Sequence, residues 1–258
     1  MSATPDLEFA HELADIAASV TLRWFGDRLP FELKADDSPV TEVDRAAEQA
    51  IRKAIDARFP TDGVHGEEEG LDEGTSGRVW IVDPVDGTKL YAEGIPLWTT
   101  LIALQEDGEV VLGVADAPAL SERYHATRGG GAWRGGRPLA VSYVDAIADA
   151  LIAHSPVEDW IDDASLARVA ARARGTRGLS DAWGQLLVAQ GSVDALVEHE
   201  PCFVWDWAAT SVIVHEAGGR MTTIDGGPPT QGTDLIVSNG RIHDELMRAL
   251  ERGGTDEM

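Results

Sequence analysis

Asp83-Pro84-Val85-Asp86-Gly87-Thr88 sets two carboxylates and a hydroxyl within six residues, directly behind the extended, apolar run Trp80-Ile81-Val82. Carboxylates and hydroxyls are oxygen donors, and an all-oxygen set suits Mg²⁺, Mn²⁺ or Ca²⁺ rather than zinc. Leaving such charge unpaired at the end of a buried strand costs several kcal/mol, so the pattern calls for a cation. The Pro-Val step lets Asp83 and Asp86 turn into one pocket, where the Val85 carbonyl adds another oxygen. Glu67, in the run Glu67-Glu68-Glu69, and Asp206, in Trp205-Asp206-Trp207, complete the set of candidate ligands. Their spacing alone does not bring them to Asp83.

Each of these residues also has a plain structural reading. Asp86-Gly87 fits a turn in which Asp accepts a downstream N–H. A triple-Glu run fits a solvated loop. Asp206 at a helix start fits an N-cap worth about 1 kcal/mol, and Thr41-x-x-Asp44 fits a capping box with Asp in place of Glu. Their combination is what stands out, because a motif behind a strand and another at a helix start are where α/β folds build active sites.

The elements that must position these groups follow from periodicity. Phe9, Leu13, Ile16, Val20 and Trp24 recur every three or four residues and predict an amphipathic helix over 6–25, ended by Pro30. A polar loop over 34–40 leads to a second helix from Thr41 to Phe59, with Ala46, Ala47, Ala50, Ile51, Ala54 and Ile55 inside. The glycine-rich acidic segment 63–77 reads as loop. From residue 79 the period becomes extended, with strands at 79–83, 98–104, 109–116 and 122–127, then a glycine-turned hairpin over 128–142. Beyond it, strands at 148–155, 194–198 and 235–239 alternate with helices near 158–173, 181–191, 205–219 and from about 242. The expected class is α/β, with an α+β N-terminal lobe over 1–144 and an α/β C-terminal lobe over 145–258.

A formal charge of −24, from 45 acidic against 21 basic residues, argues against nucleic acid or an anionic membrane as partner. A small anion remains compatible where bound cations reverse the field locally. The single cysteine, Cys202, excludes an internal disulfide framework and a cysteine-based zinc site, and reads as a small buried or loop side chain. His199 and His215 read as structural or surface residues, lacking metal-ligand spacing. Without a basic-then-apolar leader or an 18-residue apolar window, the expected compartment is the cytoplasm.

The segments GEE (66–68), WIVDPVDGT (80–88) and WDWAA (205–209) resemble the three metal-binding signatures of the inositol monophosphatase family of Mg²⁺-dependent phosphomonoesterases. SPVTEVDRAAE (38–48), GGGAWRGGRPLAVS (129–142) and EAGG (216–219) extend the resemblance over nearly the whole chain. The resemblance implies a layered αβαβα fold, with Glu67, Asp83, Asp86, Asp206 and the Val85 carbonyl as ligands of two or three Mg²⁺ ions, or Mn²⁺ in their place. It implies that Thr88, held by Asp44, acts with Glu67 on the attacking water, that Gly87 and Thr88 N–H groups hold the phosphate, and that the protein is a homodimer.

Within the family, the stretch 179–198 is most similar to the histidinol-phosphate phosphatase branch, in which an aspartate and an aromatic precede a small-residue helix; Asp181 and Trp183 match them. The stretch 34–44 resembles that branch too. Helix N-cap and core aromatic are the structural readings of the same two residues. Glu198, or its neighbour Glu200, stands where the family contacts the substrate alcohol, although the spacing to Asp206 is about one residue longer than in inositol-specific members. An acidic pocket suits an alcohol that carries an ammonium and an imidazole. The implied activity is hydrolysis of L-histidinol phosphate. Inositol 1-phosphate or sugar phosphates, fructose 1,6-bisphosphate included, are the alternatives, and a non-catalytic acidic metal-binding protein is the alternative of another class.

Overall fold

The computed structural model describes residues 4–26, 32–33, 39–160 and 164–250. Its elements run α1 (Pro5–Thr21), β1 (Glu32–Leu33), β2 (Pro39–Val40), α2 (Glu42–Arg58), β3 (Gly63–Gly66), β4 (Gly70–Asp72), β5 (Arg78–Asp86), α3 (Thr88–Ala92), β6 (Thr99–Glu106), β7 (Glu109–Ala117), β8 (Glu122–Thr127), β9 (Ala132–Arg134) and β10 (Arg137–Pro138). There follow β11 (Leu151–His154), α4 (Ser165–Arg172), β12 (Gly175–Gly178), α5 (Asp181–Ala189), β13 (Ala195–Cys202), α6 (Val204–Glu216), β14 (Arg220–Thr222), β15 (Thr233–Ser238) and α7 (His243–Leu250).

Two sheets carry the architecture. An eight-stranded sheet has the order β10-β9-β8-β7-β6-β5-β3-β4, antiparallel except where β3 runs parallel to β5. A five-stranded sheet has the order β12-β11-β13-β15-β14, parallel through its first three strands and antiparallel beyond. Apolar side chains of α1 and α2, including Leu13, Ile51 and Ile55, cover one face of the large sheet against Trp80, Ile102 and Val114. On its other face α5 and α6 are sandwiched against Leu196 and Val237 of the smaller sheet. The outer face of that sheet packs Ile152, Val197 and Ile236 on Val169 of α4 and Leu246 of α7. The result is the expected α/β stack, layered αβαβα.

Three sequence expectations change. The segment 63–77 is not simply loop: Val64 is buried between β4 and β5, so β3 and β4 form a hairpin at the sheet edge. Helix α1 stops at Thr21, and Trp24, 46% exposed, does not share its apolar face. Strands β12 and β14 went unseen because each is a short edge strand without alternating apolar residues. Pro30 and residues 34–38 lie outside the described residues, as does the side chain of Glu200. Among the described residues, no helix is long and apolar enough to cross a membrane.

At the start of α7, buried His243 sits between the Thr222 hydroxyl at 3.0 Å and the Ser238 hydroxyl at 2.8 Å. Burial first, then Arg220, pushes its pKa down to about 4. A base whose folded pKa lies below its unfolded value near 6.5 stabilises the fold above pH 6.5 and loses that contribution as pH falls toward 4. Urea titrations should therefore show the midpoint falling across that interval, and His243→Gln, though less stable at neutral pH, should fall less steeply.

Candidate active site

Strand β5 delivers Asp83 and Asp86 by breaking its own regularity. In an unbroken strand, residues three apart point to opposite faces. Here the pairing with β6 runs through Asp83 opposite Leu101, then resumes at Asp86 opposite Thr99, leaving Pro84 and Val85 against Thr100 alone. Pro84 lacks an N–H for the ladder, and the Thr100 hydroxyl donates to its carbonyl at 2.8 Å instead. The bulge turns both carboxylates to one side. The Val85 N–H donates to Asp83 Oδ1 at 2.9 Å, and Asp86 Oδ2 accepts from the Thr99 hydroxyl at 3.1 Å and the Ala182 N–H at 3.0 Å. Gly87, at φ +84°, then turns the chain into α3 with Thr88 as its first residue.

Asp206 arrives from α6, where its carboxylate caps the helix by accepting the Phe203 N–H at 2.6 Å. Phe203 is the N-cap and Asp206 the N3 residue, so Asp206 serves the cap without being it. The convergence is present, because Asp83, Asp86 and Asp206 each present a carboxylate oxygen within 4.8 Å of the others. Gln185 of α5 donates to the Asp206 carbonyl at 3.2 Å and ties the two central helices together there. Burial raises Asp83 well above the carboxylate range, followed by the charges of Glu67, Asp86 and Asp206. Burial likewise raises Asp86, followed by Asp181 and Asp206. Buried acids with these mutual repulsions form a donor set that could hold a metal ion, and the all-oxygen chemistry fits a divalent one.

Glu67 reaches the cluster from the turn between β3 and β4, and its carboxyl hydrogen-bonds with that of Asp83. That turn is held from behind by α2. Asp44, Glu48 and Arg52 form a buried polar stripe at four-residue spacing beside the apolar one. Glu48, fully buried, accepts the Glu68 N–H at 2.8 Å and the Glu69 N–H at 3.0 Å. Arg52 binds Glu48 at 2.8 Å and Asp72 at 2.7 Å, and donates to the Gly70 carbonyl. Gly66 must be glycine, since any Cβ there would collide with the Glu48 carboxylate.

At the top of the same stripe, Asp44 closes the expected capping box with Thr41, whose N–H donates to it at 3.0 Å and whose hydroxyl also hydrogen-bonds with it. The Thr88 hydroxyl lies 3.1 Å from Asp44 Oδ1 and 3.0 Å from the Val85 carbonyl. Burial raises the Asp44 pKa against the lowering effect of these hydrogen bonds.

These groups line one cavity of about 220 Å³: Glu67, Asp83, Val85, Asp86, Gly87, Thr88, Lys89, Leu90 and Asp206 on one part of its wall, Pro156, Ser180, Asp181, Gln185, Glu198, Pro201 and Cys202 on the rest. Asp181 adopts φ +58°, a left-handed conformation uncommon outside glycine, Asn and Asp. Ser180 is the N-cap of α5, so Asp181 is the first helical residue and not the cap. Its N–H donates to Glu198 Oε2 at 3.1 Å while the next N–H serves Asp86. Trp183 is not among the residues lining the cavity: 9% exposed, it packs edge-to-face on Tyr124 in the central core, in line with its core reading. Cys202 is buried at the cavity wall, its thiol pKa pushed well up by burial and by the neighbouring carboxylates, Glu198 first among them. His215 is exposed, and His199 stacks on Trp160.

The description "Inositol monophosphatase family" matches residues 2–254 of the chain. A histidinol-phosphatase of Streptomyces coelicolor is 42% identical, covering 96% of this chain and 97% of its own. One from Mycobacterium tuberculosis is 41% identical over 96% and 98%. The solved structure of extragenic suppressor protein suhB from Bartonella henselae superposes with a TM-score of 0.90 at 31% identity, covering 97% of this chain and 100% of that one. The chain belongs to the inositol monophosphatase family. As a member of this metal-dependent inositol monophosphatase family it is a phosphoric monoester hydrolase.

Sequence reasoning passed over Glu48, Arg52, Gln185 and Lys89. For the first two a signal existed, since 44, 48 and 52 fall on one helical face, but it reads equally as a solvated stripe. If Glu48 holds the Glu67 turn, Glu48→Gln places an amide donor against one of the two N–H groups. Isothermal titration should then show Mg²⁺ affinity lowered roughly tenfold or more, while the exposed Lys53→Gln leaves it unchanged.

Proposed function

We propose that this chain hydrolyses L-histidinol phosphate to L-histidinol and phosphate by attack of water, as a step of histidine biosynthesis. The observation that carries the chemistry is the convergence of Asp83, Asp86 and Asp206 beside the Thr88–Asp44 pair. Glu67, Asp83, Asp86, Asp206 and the Val85 carbonyl would hold two or three Mg²⁺ ions, or Mn²⁺, which when bound would offset the carboxylates, polarise the phosphoryl oxygens and acidify a water.

The chain's own groups do the rest. The Thr88 hydroxyl has one proton; donated to Asp44, it leaves the oxygen free to accept from the attacking water and aim it in line with the leaving alcohol. The raised pKa of Asp44 suits it to take the proton that Thr88 passes on. Glu67 orients the same water from the opposite element, and the Gly87 and Thr88 N–H groups hold the phosphate. Phosphoryl transfer needs little more than this positioning and charge compensation.

The alcohol is read by Asp181 and Glu198, whose carboxylates face the cavity beside the cluster. An ammonium and an imidazole both donate hydrogen bonds to carboxylates, whereas a neutral polyol gains less from two such charges. The two histidinol-phosphatases at about 40% identity over nearly their full length support the same alcohol. The family resemblance extends the proposal to a cytoplasmic homodimer.

Phosphate release from L-histidinol phosphate and from inositol 1-phosphate, with Mg²⁺ and with chelator, decides between substrates. The expected ratio of kcat/KM is about 100-fold or more for histidinol phosphate, roughly 2.7 kcal/mol in the transition state; a flat or reversed ratio discards this alcohol and keeps the hydrolase. Asp181→Asn and Glu198→Gln should each raise KM for histidinol phosphate about tenfold and narrow that ratio, because each removes a charged acceptor from the ammonium or imidazole.

A further inference from the structure

Six carboxylates line the cavity, those of Glu67, Asp83, Asp86, Asp181, Glu198 and Asp206, and among the described residues one cation joins them, Lys89. In a chain with 45 acidic residues against 21 basic ones, several arginines are held by carboxylates. Arg52, Arg78 and Arg123 each bind at least two carboxylates. Lys89 is exposed, and among the described residues no carboxylate stands within ion-pair distance of it. It follows Thr88 directly on α3, whose backbone is pinned by Tyr91: that ring packs edge-to-face on Trp98 and its hydroxyl donates to the Thr21 carbonyl at 2.7 Å. A fixed backbone thus carries a free ammonium on a flexible stem at the rim of an acidic cavity.

Resting on the phosphatase reading, we propose that Lys89 is a specificity residue for the anionic end of the substrate: its ammonium draws the phosphate dianion into the cavity and pairs with a phosphate oxygen facing the opening. A net charge of −24 repels a dianion from a distance. One unclaimed cation at the entrance offsets part of that field where the ester must enter, and charges at a rim act mainly on encounter and on salt dependence. Because it pairs with ester and with released phosphate alike, Lys89 lowers KM and favours product inhibition, leaving the chemical step to the groups around Thr88.

The test compares wild type, Lys89→Gln and Lys89→Arg as full-length chains with Mg²⁺, reading kcat and KM for L-histidinol phosphate and the competitive inhibition constant of inorganic phosphate. Lys89→Gln should raise both KM and the inhibition constant about 5- to 10-fold at low salt with kcat within about twofold, and Lys89→Arg should keep most of the wild-type values. Between about 20 and 300 mM NaCl the gap between wild type and Lys89→Gln should narrow, because screening removes an electrostatic contribution and spares a structural one. Mg²⁺ affinity without substrate should be equal or tighter in Lys89→Gln, since a neighbouring positive charge is gone. An unchanged phosphate inhibition constant, a loss confined to kcat, or weakened Mg²⁺ binding overturns the role of Lys89 while an active wild type leaves the phosphatase reading standing; a wild type without Mg²⁺-dependent hydrolysis overturns both.

Discussion

Repulsion among buried carboxylates is the constraint on which the rest of this structure depends. Asp83 and Asp86 are almost wholly buried, face Asp206 within 4.8 Å, and are driven toward protonation by burial and by one another. A fold gains nothing from such a cluster by itself; each charge is costly to desolvate and its neighbours add to the cost. What the chain provides is a frame that holds the carboxylates together despite that cost. Asp83 is oriented by the Val85 N–H, Asp86 by Thr99 and Ala182, and Asp206 by the Phe203 N–H, so backbone geometry sets where each carboxylate points.

The frame draws on several layers of the stack. Strand β5 of the large sheet contributes the bulge, α6 of the central layer contributes Asp206, and the start of α5 couples the cluster to Glu198 through two successive N–H groups. Helix α2, on the far face of the large sheet, reaches the site through its buried stripe: Asp44 meets Thr88 and Glu48 fixes the turn that bears Glu67. The left-handed backbone of Asp181 is the local strain that this junction tolerates, and it falls where the carboxylate cluster meets Glu198 across the cavity wall.

Much of the site was legible because it is local. Asp83, Asp86 and Thr88 lie within six residues, and Thr41-x-x-Asp44 declares its cap, so turn chemistry alone brings these groups near their places. Long strands and helices followed from period, as β5 to β8 and α5 to α7 show. What stayed hidden depends on tertiary contact. The Glu67 turn looked like solvated loop because its strands are short and its support, Glu48, lies about twenty residues upstream. Trp183 and Asp181 are two residues apart on one helix, yet one faces the core and the other the cavity, a difference that depends on how α5 docks. Lys89 directly follows the segment 80–88, but its lack of an ion-pair partner among the described residues appears only once the carboxylates around it are placed.

Thermal unfolding of the wild type and of Asp83→Asn, each in chelator and in Mg²⁺ near pH 8, tests the central claim most directly. The Asn side chain keeps the size of Asp and can still accept the Val85 N–H while removing one charge from the cluster. The account predicts that the wild type gains several degrees with Mg²⁺, and that Asp83→Asn melts at or above the wild type in chelator but gains little from the metal. A wild type indifferent to Mg²⁺, together with an Asp83→Asn variant less stable in chelator, would contradict it, because the carboxylates would then stabilise the fold without any cation.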